Sequence, residues 1–336
     1  MFRQQAIDAM VGGKNNPGSM ASAPRGYPDR KKPGRGGEWR TWLVAGAIYG
    51  GWFLLTFHAA TLPWWLLLPA GAWIVCWHGS LQHETVHGHP TRSAHANGAL
   101  AWLPLGLWMP YEIYRDTHLR HHACPALTDP LEDTESWFVR QADWDRMSAP
   151  RRLLLLFDRT LFGRLTLGPA LAVLALWRSE FGRVRSGDLS NSGVWLRHFL
   201  GTGLVLGWVA FACGLSVGAY VLLFAYPGLS LTLLRSYAEH HPAAEKDRRT
   251  AIVLGGPVSR LLYLNNNLHI VHHSRPGLPW HAIPAEFAAR RRHYTEQAGG
   301  HVYTGYPTLL GRFLFRAGHH PVHRDCRLAA SNKSTK

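Results

Sequence analysis

Charged positions are distributed very unevenly along the chain. Residues 41–83 contain no Asp, Glu, Lys or Arg, and neither do residues 198–234. Each stretch is long enough for two apolar helices of about 20 residues, the length that crosses a bilayer. In the first, the polar break at Thr61-Leu62-Pro63 predicts the turn, with Trp64-Trp65 suited to the membrane interface. In the second, running from Trp195 to Leu234, the easiest break is Gly214–Gly218. Two further apolar stretches are too short to cross. Ala96–Tyr111 is expected to be re-entrant or to lie in the interface. Leu153–Trp177, which carries Asp158, Arg159 and Arg164, is expected to be one amphipathic surface helix. The string Gly201-Thr-Gly203-Leu-Val-Leu-Gly207 reads as helix packing rather than a dinucleotide loop, because it lies inside an uncharged run.

Basic residues set the topology. Lys and Arg crowd 1–40, 92–197 and 235–336, and neither proposed far-side turn contains one. The positive-inside rule places all three basic regions in the cytoplasm. Two hairpins satisfy that and an odd number of spans does not. The expected fold is therefore all-α and integral to the membrane. It has four transmembrane helices in two hairpins under a cytoplasmic helical cap that holds a His-rich di-metal site. Residues 1–37 read as a disordered basic N-terminal arm, 38–292 as the membrane domain and 293–336 as a C-terminal cytoplasmic tail. The basic arm is read as a cytoplasmic anchor rather than a nucleic-acid tail, since apolar spans follow it directly.

Composition adds two facts. The 4 Cys form no CxxC pair, which excludes a disulfide scaffold and a Cys-ligated cluster. The 21 His are about three times the usual share. Eight of them form three boxes. His83-Glu-Thr-Val-His87 puts two imidazoles on one helix face, and His118-Leu-Arg-His121-His122 and His269-Ile-Val-His272-His273 each put three there. One HxxHH string arises by chance about 0.08 times per chain at this His content, so two copies point to function. All three boxes fall on the side already assigned to the cytoplasm. Eight imidazoles exceed the needs of one metal and suit two. Imidazole accepts Fe, Cu, Zn or Ni, so ligand type alone leaves the metal open. His240, at the end of the last span, is a candidate ninth ligand, and His78, His89 and His241 are weaker ones. Glu84, Asp116, Asp129 and Glu239 are candidates to orient the ligands. Asn265-Asn266-Asn267 could hold a water or metal, or cap a helix. Box one also matches HExxH, the zinc-protease signature, but that reading leaves both HxxHH boxes unused. A His-rich metal carrier would place His within the spans, where only His58, His78 and His198 occur, near the ends.

The spacing and order of these boxes resemble the membrane fatty acid desaturase/hydroxylase superfamily over roughly residues 41–292. Longer strings (HETVHGHPTR, PYEIYRDTHLRHH, LTDPLEDTESW, LRSYAEHH, NNNLHIVHHSRPGLPWHAIP) are similar to a bacterial branch. That branch includes acyl-chain desaturases and enzymes of small polar metabolites such as rhizopine oxygenase and dihydrorhizobitoxine desaturase. Glu84 stands where the commoner first box has Asp. The resemblance implies two iron ions held by His83, His87, His118, His121, His122, His269, His272 and His273, with His240 added between boxes two and three. It also implies O2 as co-substrate and desaturation or hydroxylation of an unactivated C–H bond. Two electrons would come from a separate ferredoxin or cytochrome-type donor, because the chain has neither a Cys cluster nor an HPGG string. The basic face of 140–197 and 290–292 suits either an acidic electron carrier or anionic lipid. The expected setting is a bacterial inner membrane with both termini and the metal site cytoplasmic. A fatty acyl substrate predicts a long apolar tunnel. The alternative, a small amine or amino-acid-like metabolite, predicts a short pocket with a charged residue such as Arg115, Asp116 or Glu135.

Overall fold

The computed structural model describes residues 38–326. The arm assigned to 1–37 lies outside the described residues. The described residues are mostly helical: α1 (Trp39–Phe57), α2 (Trp64–Val86), α3 (Ala94–Ala101) and α4 (Tyr111–His122); α5 (Gln141–Arg146), α6 (Ala149–Asp158), α7 (Leu161–Thr166) and α8 (Gly168–Arg185); α9 (Ser192–Ala212) and α10 (Val217–Glu239); α11 (Pro257–Leu262), α12 (His269–Ser274), α13 (Ile283–Ala289), α14 (Arg291–Gln297) and α15 (Tyr306–Phe313). Two short strands, β1 (Ile252–Val253) and β2 (Val302–Tyr303), pair in parallel.

Among the described residues, α9 and α10 are long and apolar enough to cross a membrane, at 21 and 23 residues. They break where Gly214 turns the chain with φ +64°, a backbone that suits glycine. Helices α1 and α2 have 19 and 23 residues, with Pro63 starting the second as expected. They are less apolar than α9 and α10. Large apolar side chains nonetheless stand exposed on α1 (Trp42, Leu43, Phe53, Leu54) as on α9 (Leu196, Phe199, Leu204, Phe211).

Glycines let α2 and α10 pack backbone to backbone. A Cβ at Gly71 would sit 2.6 Å from the Leu223 carbonyl oxygen, and one at Gly228 would sit 2.5 Å from Val75. In the Gly201–Gly207 string, only Gly201 is tightly packed, against Trp102 and Pro104; Gly203 and Gly207 face open space. The stretch expected to be re-entrant becomes α3 followed by irregular chain. Buried irregular backbone must find partners, and side chains from the long helices provide them. Tyr220 OH donates to the Leu105 carbonyl (2.8 Å) and His198 Nε2 to the Leu107 carbonyl (2.9 Å). Trp52 Nε1 completes the chain by donating to Tyr220 OH (2.9 Å).

Two expectations are corrected. Leu153–Trp177 is not one amphipathic helix but parts of α6, α7 and α8. The chain breaks at Thr160, whose hydroxyl caps α7 by accepting from Gly163 N (3.0 Å), and a side chain at Gly163 would collide with the Phe157 carbonyl. Asp158 and Arg164 are buried and paired at 3.2 Å instead of solvated. Residues 293–326, assigned to a C-terminal tail, are packed into the fold. Tyr306, Leu309 and Phe313 pack into the main core, β2 pairs with β1, and Val322 bridges to Val139. The boundary at 292 falls inside α14.

Candidate metal centre

Four helix ends converge to form the site. His83 lies in the last turn of α2, and His87 follows it as the C-terminal cap. His118, His121 and His122 occupy the last turns of α4. His240 caps α10, and His269, His272 and His273 lie on α12. Helix C-termini direct carbonyl dipoles at this point, which favours positive charge there.

All nine imidazoles named from the sequence meet, and they divide into two groups. His83, His87, His118, His122 and His272 form one, and His121, His240, His269 and His273 the other; within each, one nitrogen per ring lies within 4.8 Å of every other. In the first group His87 Nε2 is 3.1 Å from His118 Nε2, and His122 Nε2 is 2.9 Å from His272 Nε2. In the second His240 Nε2 is 3.0 Å from His121 Nε2 and 3.1 Å from His269 Nε2. The groups share a wall, since His122 and His273 stack at 4.2 Å between centroids.

The other ring nitrogens show what this arrangement accepts. His118 Nδ1–H donates to Glu135 (2.9 Å) and His121 Nδ1–H to Asp133 (2.6 Å). His240 Nδ1–H donates to the Arg249 carbonyl (3.2 Å) and His269 Nδ1–H to Asn266 Oδ1 (2.9 Å). With Nδ1 carrying the proton, the neutral ring presents a bare lone pair at Nε2. Lone pairs about 3 Å apart repel unless a cation lies between them. Burial, with further lowering by neighbouring imidazoles, pushes His122, His272 and His273 well below the ordinary histidine range, which favours their neutral, ligating form. His121 moves the other way: burial acts to lower it, but Glu135 and Asp133 together push it up to about 9. The donor set therefore fits two imidazole-preferring metal ions.

The orienting groups differ from those expected. Asp133 and Glu135 do this work, and Asp133 was missed; the only trace in the sequence is the acidic run Asp129-Pro-Leu-Glu-Asp-Thr-Glu135 following box two. Glu239 lies 3.4 Å from His269 Nδ1 and is ion-paired with Arg235 (2.8 Å). Asp129 instead accepts from Leu131 N and Glu132 N, and Asp116 pairs with its exposed neighbour Arg115. Glu84 accepts from Trp280 N (3.1 Å), which ties box one to the segment after box three. His78 is held by Tyr49 (3.3 Å) and His89 by Glu38 (2.7 Å); His241 stacks on His301 outside both groups. The asparagine triple ties segments together. Asn265 donates to the Trp280 carbonyl, Asn266 reaches His83, Glu239 and His269, and Asn267 donates to the Val253 carbonyl. A cavity of about 60 Å³ adjoins His240, lined also by Glu135, Trp137, Phe138 and Tyr237.

Comparison with known proteins agrees with this centre. The fatty acid desaturase family model matches residues 59–307, a span containing all nine imidazoles. Chloroplastic omega-6 fatty acid desaturases are among the relatives. That of Brassica napus is 25% identical over 82% of this chain and 63% of its own length. That of Arabidopsis thaliana is 24% identical over 77% and 59%, and that of Glycine max 22% over 74% and 61%. The chain thus spans about three fifths of the length of these relatives. With the match to the family model over most of its length, the chain belongs to the fatty acid desaturase family.

Proposed function

We propose that this protein is an O2-dependent di-iron oxidoreductase of the membrane that desaturates or hydroxylates a fatty acyl chain. The observation that carries the reading is the pair of imidazole groups whose Nε2 lone pairs face one another. His83, His87, His118, His122 and His272 would hold one iron, and His121, His240, His269 and His273 the other. Iron bound there supplies reduction of O2 coupled to hydrogen removal from an unactivated C–H bond. The protein's own task is to fix the donors: Asp133, Glu135, Asn266 and the Arg249 carbonyl hold the Nδ1–H groups of His121, His118, His269 and His240 outward, so the Nε2 of these four rings is set before metal arrives. The surrounding burial keeps bulk water from the reacting centre. The two electrons come from a separate donor of ferredoxin or cytochrome type. Helices α1, α2, α9 and α10 are read as four spans in two hairpins, supported by the exposed apolar faces of α1 and α9. The basic regions are read as cytoplasmic, in a bacterial inner membrane.

An acyl substrate draws support from the family and from relatives named as fatty acid desaturases. One observation favours the second substrate class, a small amine or amino-acid-like metabolite. The cavity beside His240 is small, about 60 Å³, and has Glu135 on its wall. The deciding experiment is metal analysis with Mössbauer spectroscopy of detergent-purified protein, followed by product analysis with labelled acyl substrates and a ferredoxin system. About two coupled, nitrogen-ligated irons per chain support the oxidase reading. One zinc and no iron overturns it in favour of the HExxH protease.

A further inference from the structure

A second cavity, of about 290 Å³, lies next to the metal centre and is lined by His241, His301, His319, Arg248, Arg324 and Glu245. His319 also borders the cavity that adjoins His240, so the two cavities are neighbours. The backbone explains the division. His240 is extended (φ −131°, ψ 143°), so the side chains of His240 and His241 leave the chain on opposite sides. One enters the metal centre and the next enters the outer cavity.

The outer cavity carries three imidazoles and two guanidinium groups against one carboxylate. Neither Arg248 nor Arg324 makes an ion pair among the described residues. His241 is 3% exposed, and its Nε2 is buried with no hydrogen-bond partner. His241 and His301 stack with centroids 3.2 Å apart. Imidazoles this close could suggest a third metal, but two arginines at the same cavity repel a cation. The same charges suit an oxyanion, which guanidinium groups bind through paired N–H donors and which would accept a hydrogen bond from an imidazole N–H.

We propose that this outer cavity is an oxyanion-binding site, which holds the phosphate or carboxylate end of the substrate while the reacting carbon lies in the inner cavity beside His240. The assignment to substrate rests on the di-iron reading; the binding of an oxyanion does not. An acyl group on a phosphate-bearing carrier and a small amino-acid-like metabolite both supply such a group.

The test is calorimetric titration of purified, metal-loaded full-length protein with inorganic phosphate and, separately, with acetate. The comparison is Arg248→Ala/Arg324→Ala, with iron content and melting temperature checked in each sample. Saturable binding of either anion, weakened by about tenfold or more per arginine removed, supports the site. Preference for phosphate assigns the substrate's anion to a phosphate carrier, and preference for acetate assigns it to a carboxylate. Absence of binding to the wild type, or equal binding to a double variant that melts like the wild type, overturns it. Iron content in the same samples separates the two readings. Iron without anion binding defeats only the oxyanion site, and anion binding without iron defeats only the oxidase reading.

Discussion

Replacing Asp133 by Asn tests whether the loop after box two sets the metal donors. The Asp133 carboxylate is 2% exposed and the His121 ring beside it 1%. Its Oδ1 accepts from His121 Nδ1–H (2.6 Å) and Glu135 N–H (2.9 Å), and its Oδ2 accepts from Thr128 N–H (2.7 Å). An asparagine has one carbonyl oxygen. If that oxygen keeps His121 and Glu135, the amide NH2 faces Thr128 N–H, donor against donor. Leaving one buried donor unsatisfied costs about 1–3 kcal/mol. If the amide turns to relieve that clash, its NH2 faces His121 Nδ1–H instead, and loss of a group that orients a ligand typically lowers metal affinity about 10–100-fold, roughly 1.4–2.8 kcal/mol. The assay is metal retained per chain after dialysis against graded chelator, with Asp129→Asn as control. Asp129 belongs to the same acidic run but accepts from Leu131 N (2.8 Å) and Glu132 N (3.1 Å), not from a ring of the metal centre. Asp133→Asn should release metal at about 10–100-fold lower chelator, while Asp129→Asn should follow the wild type. Equal retention in Asp133→Asn and wild type would refute the reasoning, as would an equal loss in the control.

Three further outcomes are expected. His240→Ala reduces the second group from four imidazoles to three, so metal content should fall from about two ions per chain toward one, whereas His241→Ala should keep both; metal analysis decides, and parallel losses would show that the groups are not separate sites. Gly71→Ala places a methyl 2.6 Å from the Leu223 carbonyl and 2.8 Å from the Phe224 ring, and should lower stability by about 1–3 kcal/mol in thermal unfolding in detergent. Asp158→Ala removes the buried carboxylate that pairs with Arg164, itself 3% exposed, and should cost about 3–5 kcal/mol; a double variant that also carries Arg164→Leu should recover much of it, and a single variant as stable as wild type would show that the pair has no structural role.

What could be read from the sequence is what the chemistry repeats. A metal site needs several copies of one side chain, and a helix forces those copies into spacings of three and four. His83/His87, His118/His121/His122 and His269/His272/His273 are therefore visible as strings. The long helices are visible for a similar reason, because an apolar environment excludes charge along the whole of a run. The division of the imidazoles into two groups was not visible. His121 and His122 are adjacent in sequence yet belong to different groups, because successive helical residues differ by about 100° in direction and the second partner of each arrives from another helix. Asp158 and Arg164 make Leu153–Trp177 read as one amphipathic surface helix, because a charge considered alone signals a surface; their pairing depends on a helix break fixed by Thr160 and Gly163. Asp133 is the extreme case. It lies in irregular chain behind Thr128, whose φ is +70°, and the single acceptor it supplies to one imidazole leaves no period to detect. Donors that must be alike leave a pattern, whereas each group that orients a donor is solved once, in its own loop. The residues that make two sets of identical ligands chemically distinct are therefore those that only the folded chain identifies.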